Sequence, residues 1–308
     1  MFRNSRILVP TDFSDYAANA MRYAIALAQT YEGSLRLVHV LDVRVLDDAP
    51  SASIKKDAKR HDVDRARAEA EQRLKALMEE CKTEGVQAEY QVAEGRPVSE
   101  IKRLAAELEC DLVIVATHGH SGFDRFVFGS VCDQIVRESP VPVLSVCPPE
   151  DELTGEITPP VRIDRIMFPT DFSDFSKSIL PYAVSLCHEL NSGLVLFHAA
   201  EMPVLLPEFM LEESAPAQAD IEEYAREALQ QMRDEIGGDV PVELQVSVGT
   251  PWREICRAVE TASVDLVVIP THGRGGLVKV LFGGVAERVV RRSTKPVLTV
   301  RPEPPEKA

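Results

Sequence analysis

Apolar residues come in two alternating patterns along this chain. Short runs of three to eight, such as Ile7-Leu-Val and Leu112-Val-Ile-Val-Ala, read as strands buried on both faces. Between them lie longer stretches in which apolar residues recur at three-and-four spacing, as on an amphipathic helix. In the first half this predicts strands at 6–10, 34–41, 86–93, 111–117 and 142–147, and helices at 14–31, 61–84, 98–109 and 129–138. The second of these helices would bury Val63, Ala66, Ala70, Leu74, Leu77 and Cys81 on one stripe, with charges opposite. Pro97 and Pro251 are suited to a first helical turn, where a missing N–H costs nothing. Segments 43–60 and 201–218 lack periodicity and read as loops that could cover a site.

The pattern occurs twice. Ile7-Leu-Val-Pro-Thr-Asp-Phe-Ser-Asp15 recurs as Ile166-Met-Phe-Pro-Thr-Asp-Phe-Ser-Asp174, and Asp111-Leu-Val-Ile-Val-Ala-Thr-His-Gly119 as Asp265-Leu-Val-Val-Ile-Pro-Thr-His-Gly273. Pro140-Val-Pro-Val-Leu-Ser-Val146 matches Thr294-Lys-Pro-Val-Leu-Thr-Val300. The period is too long for a solenoid, so a whole domain is duplicated. Residues 1–147 and 165–302 are the expected domains, with 148–164, rich in Pro and acidic residues, as linker. Strands alternating with helices imply an α/β fold of two tandem doubly wound domains. Each would have a five-stranded parallel sheet, ordered 3-2-1-4-5, with helices on both faces.

Such sheets take ligands beyond the carboxyl ends of the strands, where strand order reverses. Here that is between strands one and four, which end in Pro10-Thr11-Asp12 and Ala116-Thr117-His118-Gly119. After Gly119 come nine residues and then Gly129-Ser130-Val131 at a helix start; Gly273 leads by the same spacing to Gly283-Gly284. Glycine at a helix start lets backbone N–H groups approach an anion, which the helix dipole also favours. Ser130 adds a donor. Asp12 can accept from a ribose hydroxyl or an adenine amino group, and Asp171 repeats it. Ser14 and Ser173 are placed to cap the following helices, which would leave both aspartates free for a ligand.

These residues resemble the ATP-binding subclass of the universal stress protein family, whose phosphate motif reads Gly-x-x-Gly, nine residues, then Gly-Ser/Thr. The resemblance covers both halves apart from the linker and the two long loops. It implies that Pro10, Thr11, Asp12 and Val40 line an adenosine pocket, and that Ala116, Thr117, His118, Gly119, Gly129, Ser130 and Val131 surround the phosphates. In the second half Pro169, Thr170, Asp171, Thr271, His272, Gly273, Gly283 and Gly284 correspond. The implied ligand is ATP, AMP or ADP, with Mg2+ where phosphates need it. The departures are Ala116 for the first glycine of the motif, Pro270 at that position in the second half, Gly284 for the hydroxyl residue and Ala199 for Val40. Pro270 lacks the N–H donor, so the second site is expected to be weaker. The resemblance also implies that the closing strands of the two halves pair within one chain as a pseudo-dimer, with a homodimer as the other arrangement; halves expressed separately should then associate.

Composition narrows the alternatives. A formal net charge of −15 offers no basic field for nucleic acid or an anionic membrane. The six cysteines form no CxxC pair or zinc-ligand spacing, and neither an export leader nor a spanning run is legible, so a cytoplasmic protein is expected. No P-loop, Gly-x-Gly-x-x-Gly or receiver-type acidic cluster is present. His118 and His272 have no triad partner repeated beside them, and no general base, metal-ligating acid pair or catalytic lysine repeats at the site. His39 and His198 read as packing residues, and Arg125, Arg274 and Lys279 as solvated loop charges. The reading is a nucleotide binder that senses or regulates in a stress response through an unidentified client protein. A slow ATPase or phosphotransferase and a nucleotide-free scaffold stay open as alternatives.

Overall fold

The computed structural model describes residues 4–42, 56–118, 129–148, 161–201, 218–271 and 283–301. It divides into two compact units, Phe2–Val161 and Arg162–Ala308. The first runs β1 (Arg6–Pro10), α1 (Asp15–Tyr31), β2 (Ser34–Leu41), α2 (Lys56–Thr83), β3 (Gln87–Glu94), α3 (Pro97–Glu107), β4 (Leu112–Ala116), α4 (Ser130–Glu138) and β5 (Val143–Val146). Its strands are all parallel in the order β3-β2-β1-β4-β5. The second runs β6 (Arg165–Pro169), α5 (Asp174–Leu190), β7 (Gly193–Ala200), α6 (Gln218–Ile236), β8 (Val242–Val248), α7 (Pro251–Thr261), β9 (Leu266–Pro270), α8 (Gly284–Arg292) and β10 (Val297–Val300). Its strands follow the same rule, β8-β7-β6-β9-β10, again parallel. The doubly wound fold expected from the sequence is the fold observed.

The central strands form because their side chains have nowhere polar to go. Ile7, Leu8 and Val9 of β1 and Val113 and Ile114 of β4 are fully buried, as are Ile166, Met167 and Phe168 of β6. Helix α1 begins where Ser14 accepts a hydrogen bond from the Ala17 N–H, and it ends at Glu32 in the left-handed region, φ 52°. The next residue must be glycine for a packing reason. A Cβ on Gly33 would lie 2.7 Å from the Ser5 carbonyl oxygen, a contact no side chain tolerates. On α2, Ala70, Leu74 and Cys81 are buried while Val63, Ala66 and Leu77 are half-buried, so the expected stripe does face the sheet.

The helix differs from expectation at its start, which lies at Lys56. Residues 56–60 belong to α2 rather than to a loop, and Gln218 belongs to α6. Lys56–Arg60 is charged apart from one alanine and offers no apolar period to read, yet lysine, arginine and alanine are good helix formers. The remainder of those two loops, 43–55 and 202–217, and linker residues 149–160 lie outside the described residues.

The feature that positions a site is the splaying of β1 from β4. β1 pairs with β2 along its whole length but with β4 only at Ile7–Leu112 and Leu8–Val113. β4 meanwhile stays with β5 to its last residue, Ala116–Val146. The two central strands therefore part toward their carboxyl ends. In the second unit β6 and β9 part in the same way after Met167–Val267.

Candidate functional site

One lip of this opening is the turn from β1 into α1. The buried Thr11 extends the sheet by donating its N–H to the Val38 carbonyl at 2.8 Å. Its hydroxyl oxygen accepts from the Phe13 N–H at 3.0 Å. Asp12 Oδ1 accepts from both the N–H and the hydroxyl of Ser14, at 3.0 and 2.6 Å. Ser14 Oγ in turn accepts from Ala17 N–H at 3.2 Å. Asp12 is therefore engaged, which corrects the expectation that capping by Ser14 frees it. An acceptor carboxylate two residues before an N–H closes a local Asx turn, and here it also fixes the hydroxyl that caps the helix.

This turn demands an unusual backbone. Phe13 has φ 63°, in the left-handed region, where a bulky residue costs about 1–2 kcal/mol. Its ring stacks on His39 at 4.6 Å with 28° between planes, and the Arg73 guanidinium lies 4.2 Å from the centroid. Arg73 also donates to the Phe13 carbonyl at 3.3 Å. His39 Nδ1 lies 2.8 Å from the Thr11 carbonyl oxygen. A carbonyl can only accept, so Nδ1 carries a proton. His39 thus packs, as expected, and also clamps the loop beside Asp12.

The second unit reproduces the turn. Asp171 Oδ1 accepts from the Ser173 N–H and hydroxyl at 3.0 and 2.5 Å. Phe172 has φ 63° and lies 4.3 Å from the His198 ring, whose Nδ1 is 2.7 Å from the Thr170 carbonyl oxygen. A strained residue kept identically in both copies points to the site rather than to chance. Asp-Phe-Ser followed by a strand-two histidine, each occurring twice, was the available sequence signal.

The other lip is the end of β4 and the start of α4. Thr117 is buried, donating its N–H to Val146 and accepting at its carbonyl from the Gly129 N–H at 2.8 Å. A Cβ on Gly129 would stand 3.1 Å from that carbonyl oxygen. Glycine there lets the helix start sit directly on the strand end, and among the described residues no side chain caps it. Ser130 is exposed and Val131 half-buried in the first turn. His118 Nδ1 lies 2.9 Å from Thr117 Oγ1, and its ring is 5.5 Å from Tyr16 on α1. The two repeated motifs therefore meet across the opening. Pro10, Ala116 and Val40 are half-buried at the strand ends nearby.

The second unit keeps the geometry but changes the donors. Gly283 N–H bonds the Thr271 carbonyl at 2.8 Å. Pro169 and Pro270 are buried, Pro270 has no N–H, and a Cβ at Gly284 would meet nothing within 4 Å. Gly119, His272 and Gly273, with Arg125, Arg274 and Lys279, lie outside the described residues.

A nucleotide fits this donor set in kind: an acceptor carboxylate on one lip and an uncapped helix start reached through a side-chain-free position on the other. Among the described residues no group of three or more His, Cys, Asp or Glu could hold a metal ion. The cleft lined by Arg36, Lys82 and Glu89 opens at the amino ends of β2 and β3, away from these motifs.

Comparison with known proteins agrees with the duplicated fold. The model of the universal stress protein family matches residues 3–146 and again 162–301. The universal stress protein MJ0531 of Methanocaldococcus jannaschii is 27% identical over 147 residues, covering 48% of this chain and 84% of its own length. YxiE of Bacillus subtilis, also a universal stress protein, is 32% identical over 146 residues, covering 46% of this chain and 98% of its own. Among solved structures, a universal stress protein from Archaeoglobus fulgidus aligns with TM-score 0.68 at 21% identity, over 98% of this chain and 97% of that one.

Proposed function

The chain belongs to the universal stress protein family, with one family domain in each half, and from that premise we propose that it binds an adenine nucleotide where β1 and β4 part. The observation that carries the proposal is Gly129, seated so closely on the Thr117 carbonyl that a side chain would fill the space at the start of α4. An uncapped helix start presents N–H groups to an anion. Asp12, held by Ser14 at the facing lip, offers its carboxylate to ribose or adenine. Val40 and Pro10 supply apolar surface for the base.

The same logic makes the second unit the weaker site. Pro270 has removed one N–H and Gly284 one hydroxyl, while Asp171 and its serine are unchanged. The role that follows is a nucleotide-responsive regulator in a stress response, acting through a client protein in the cytoplasm.

Denaturing freshly purified protein and weighing the released small molecules tests the assignment. An adenine nucleotide, at up to one per first-unit site, is the expected result. Protein that releases none and takes up none when incubated with millimolar ATP would overturn it.

A further inference from the structure

The first turn of α7 and the adjoining face of α8 carry a cluster to which the proposed nucleotide site assigns no role. Trp252 is half-buried at the head of α7. The Arg253 guanidinium lies 5.2 Å from its ring centroid and the Arg288 guanidinium, from the packed helix α8, lies 5.8 Å away. Both arginines are exposed, and among the described residues neither has a carboxylate partner. Their neighbours do: Arg257 pairs with Glu254 and Arg291 with Glu287. Two cations held against one indole repel each other, and a carboxylate would relieve that repulsion.

The other unit serves as an internal control. Matching Pro97 to Pro251 and Gly129 to Gly283 puts Val98, Ser99 and Gln134 where the second unit has Trp252, Arg253 and Arg288. The same helices stand in the same fold without the cluster, so packing does not require it. Charge follows the difference. Helices α7 and α8 carry five arginines against three glutamates, whereas α3 and α4 carry three basic residues against four acidic ones. This local excess sits on a chain of net charge −15. Screening over about 8–10 Å at physiological salt lets a nearby patch dominate a short ligand's encounter.

We propose that the head of the α7–α8 pair is a docking site for an acidic segment of a partner protein. Each guanidinium can take a carboxylate through two parallel N–H donors. The half-buried indole beside them offers apolar surface, and Val285 is exposed on the first turn of α8. Trp and Arg are the residues that dominate protein–protein hot spots. Alternating acidic and apolar residues match this arrangement, since successive acidic side chains on one side of an extended peptide stand about 7 Å apart. The proposal is independent of nucleotide binding.

Trp252 is the only tryptophan in the chain, so its fluorescence reports the site in the full-length protein. A capped peptide of alternating glutamate and leucine is titrated at low salt, beside the lysine–leucine analogue and an oligouridylate. The acidic peptide is expected to give a saturable change that weakens with added salt, and the lysine analogue none. In the Arg253→Gln, Arg288→Gln double variant, with an unchanged circular dichroism spectrum, the affinity should fall at least about tenfold. No saturable change up to millimolar peptide, or equal affinity in the double variant, would overturn the proposal. A tighter response to oligouridylate would also overturn it, by assigning the cluster to nucleic acid.

Discussion

Asp12 does two jobs that substitution can separate. Its Oδ1 accepts from the Ser14 N–H and hydroxyl, and its carboxylate is the acceptor that the proposed site offers a ligand. Asparagine keeps an oxygen acceptor for Ser14 and loses the charge, whereas alanine loses both. Asp12→Asn should therefore fold with nearly wild-type stability and weaken ATP binding about tenfold or more. Asp12→Ala should add a stability loss of about 1 kcal/mol, the scale of a lost helix cap. Thermal melts and ATP titrations of the two variants check this, and equal stability losses would show that Oδ1 does not hold the turn. The backbone at Phe13 belongs to the same device. Its φ of 63° is held by the Thr11 hydroxyl, the His39 ring and Arg73.

At the scale of elements, the cysteines tie the packing of helices on sheet to pH. Burial pushes the Cys81, Cys110 and Cys256 thiols up to about 11, and those of Cys132 and Cys187 up to about 12, from an ordinary 9.0. The folded protein thus keeps these protons where the unfolded chain releases them. Below pH 9 both states are protonated and this stability is fully present. Above pH 9 the unfolded state gains by ionising, and the stability is lost as pH rises toward the folded values. Melting temperature should accordingly fall between about pH 9 and pH 11, and Cys132→Ala should flatten that fall while lowering stability at neutral pH. An identical alkaline slope in the variant would contradict the account. The elements themselves were largely legible: strand 6–10 falls on a buried apolar run and strand 34–41 on a largely apolar run punctuated by Arg36 and His39. The start of α2 was not, since Lys56–Arg60 carries no apolar stripe. At the site, capping by Ser14 and Ser173 could be read from residue type and spacing. The Asp-to-Ser bond, the left-handed Phe13 and the His39 clamp could not, because each depends on how the chain turns back onto β2.

The whole molecule uses one fold twice, with different residues at the strand ends. Both units keep the turn built on Asp12 or Asp171 and the glycine seated on a threonine carbonyl. Only the first keeps an N–H at Ala116 and a hydroxyl at Ser130. Hydrogen bonds to a charged group contribute about 1.5–3 kcal/mol each. Losing two should weaken the second site by at least about 100-fold. The second unit instead carries the Trp252–Arg253–Arg288 cluster, so duplication would have divided nucleotide response and partner recognition between two copies of one scaffold. The most direct test of the central claim is calorimetric titration of ATP into the wild-type chain and the Gly129→Val variant. The wild type should show one tight site and one far weaker. The folded variant should lose the tight site alone, because a branched side chain would fill the space beside the Thr117 carbonyl. Tight binding that survives in Gly129→Val, or two equal sites in the wild type, would contradict the account.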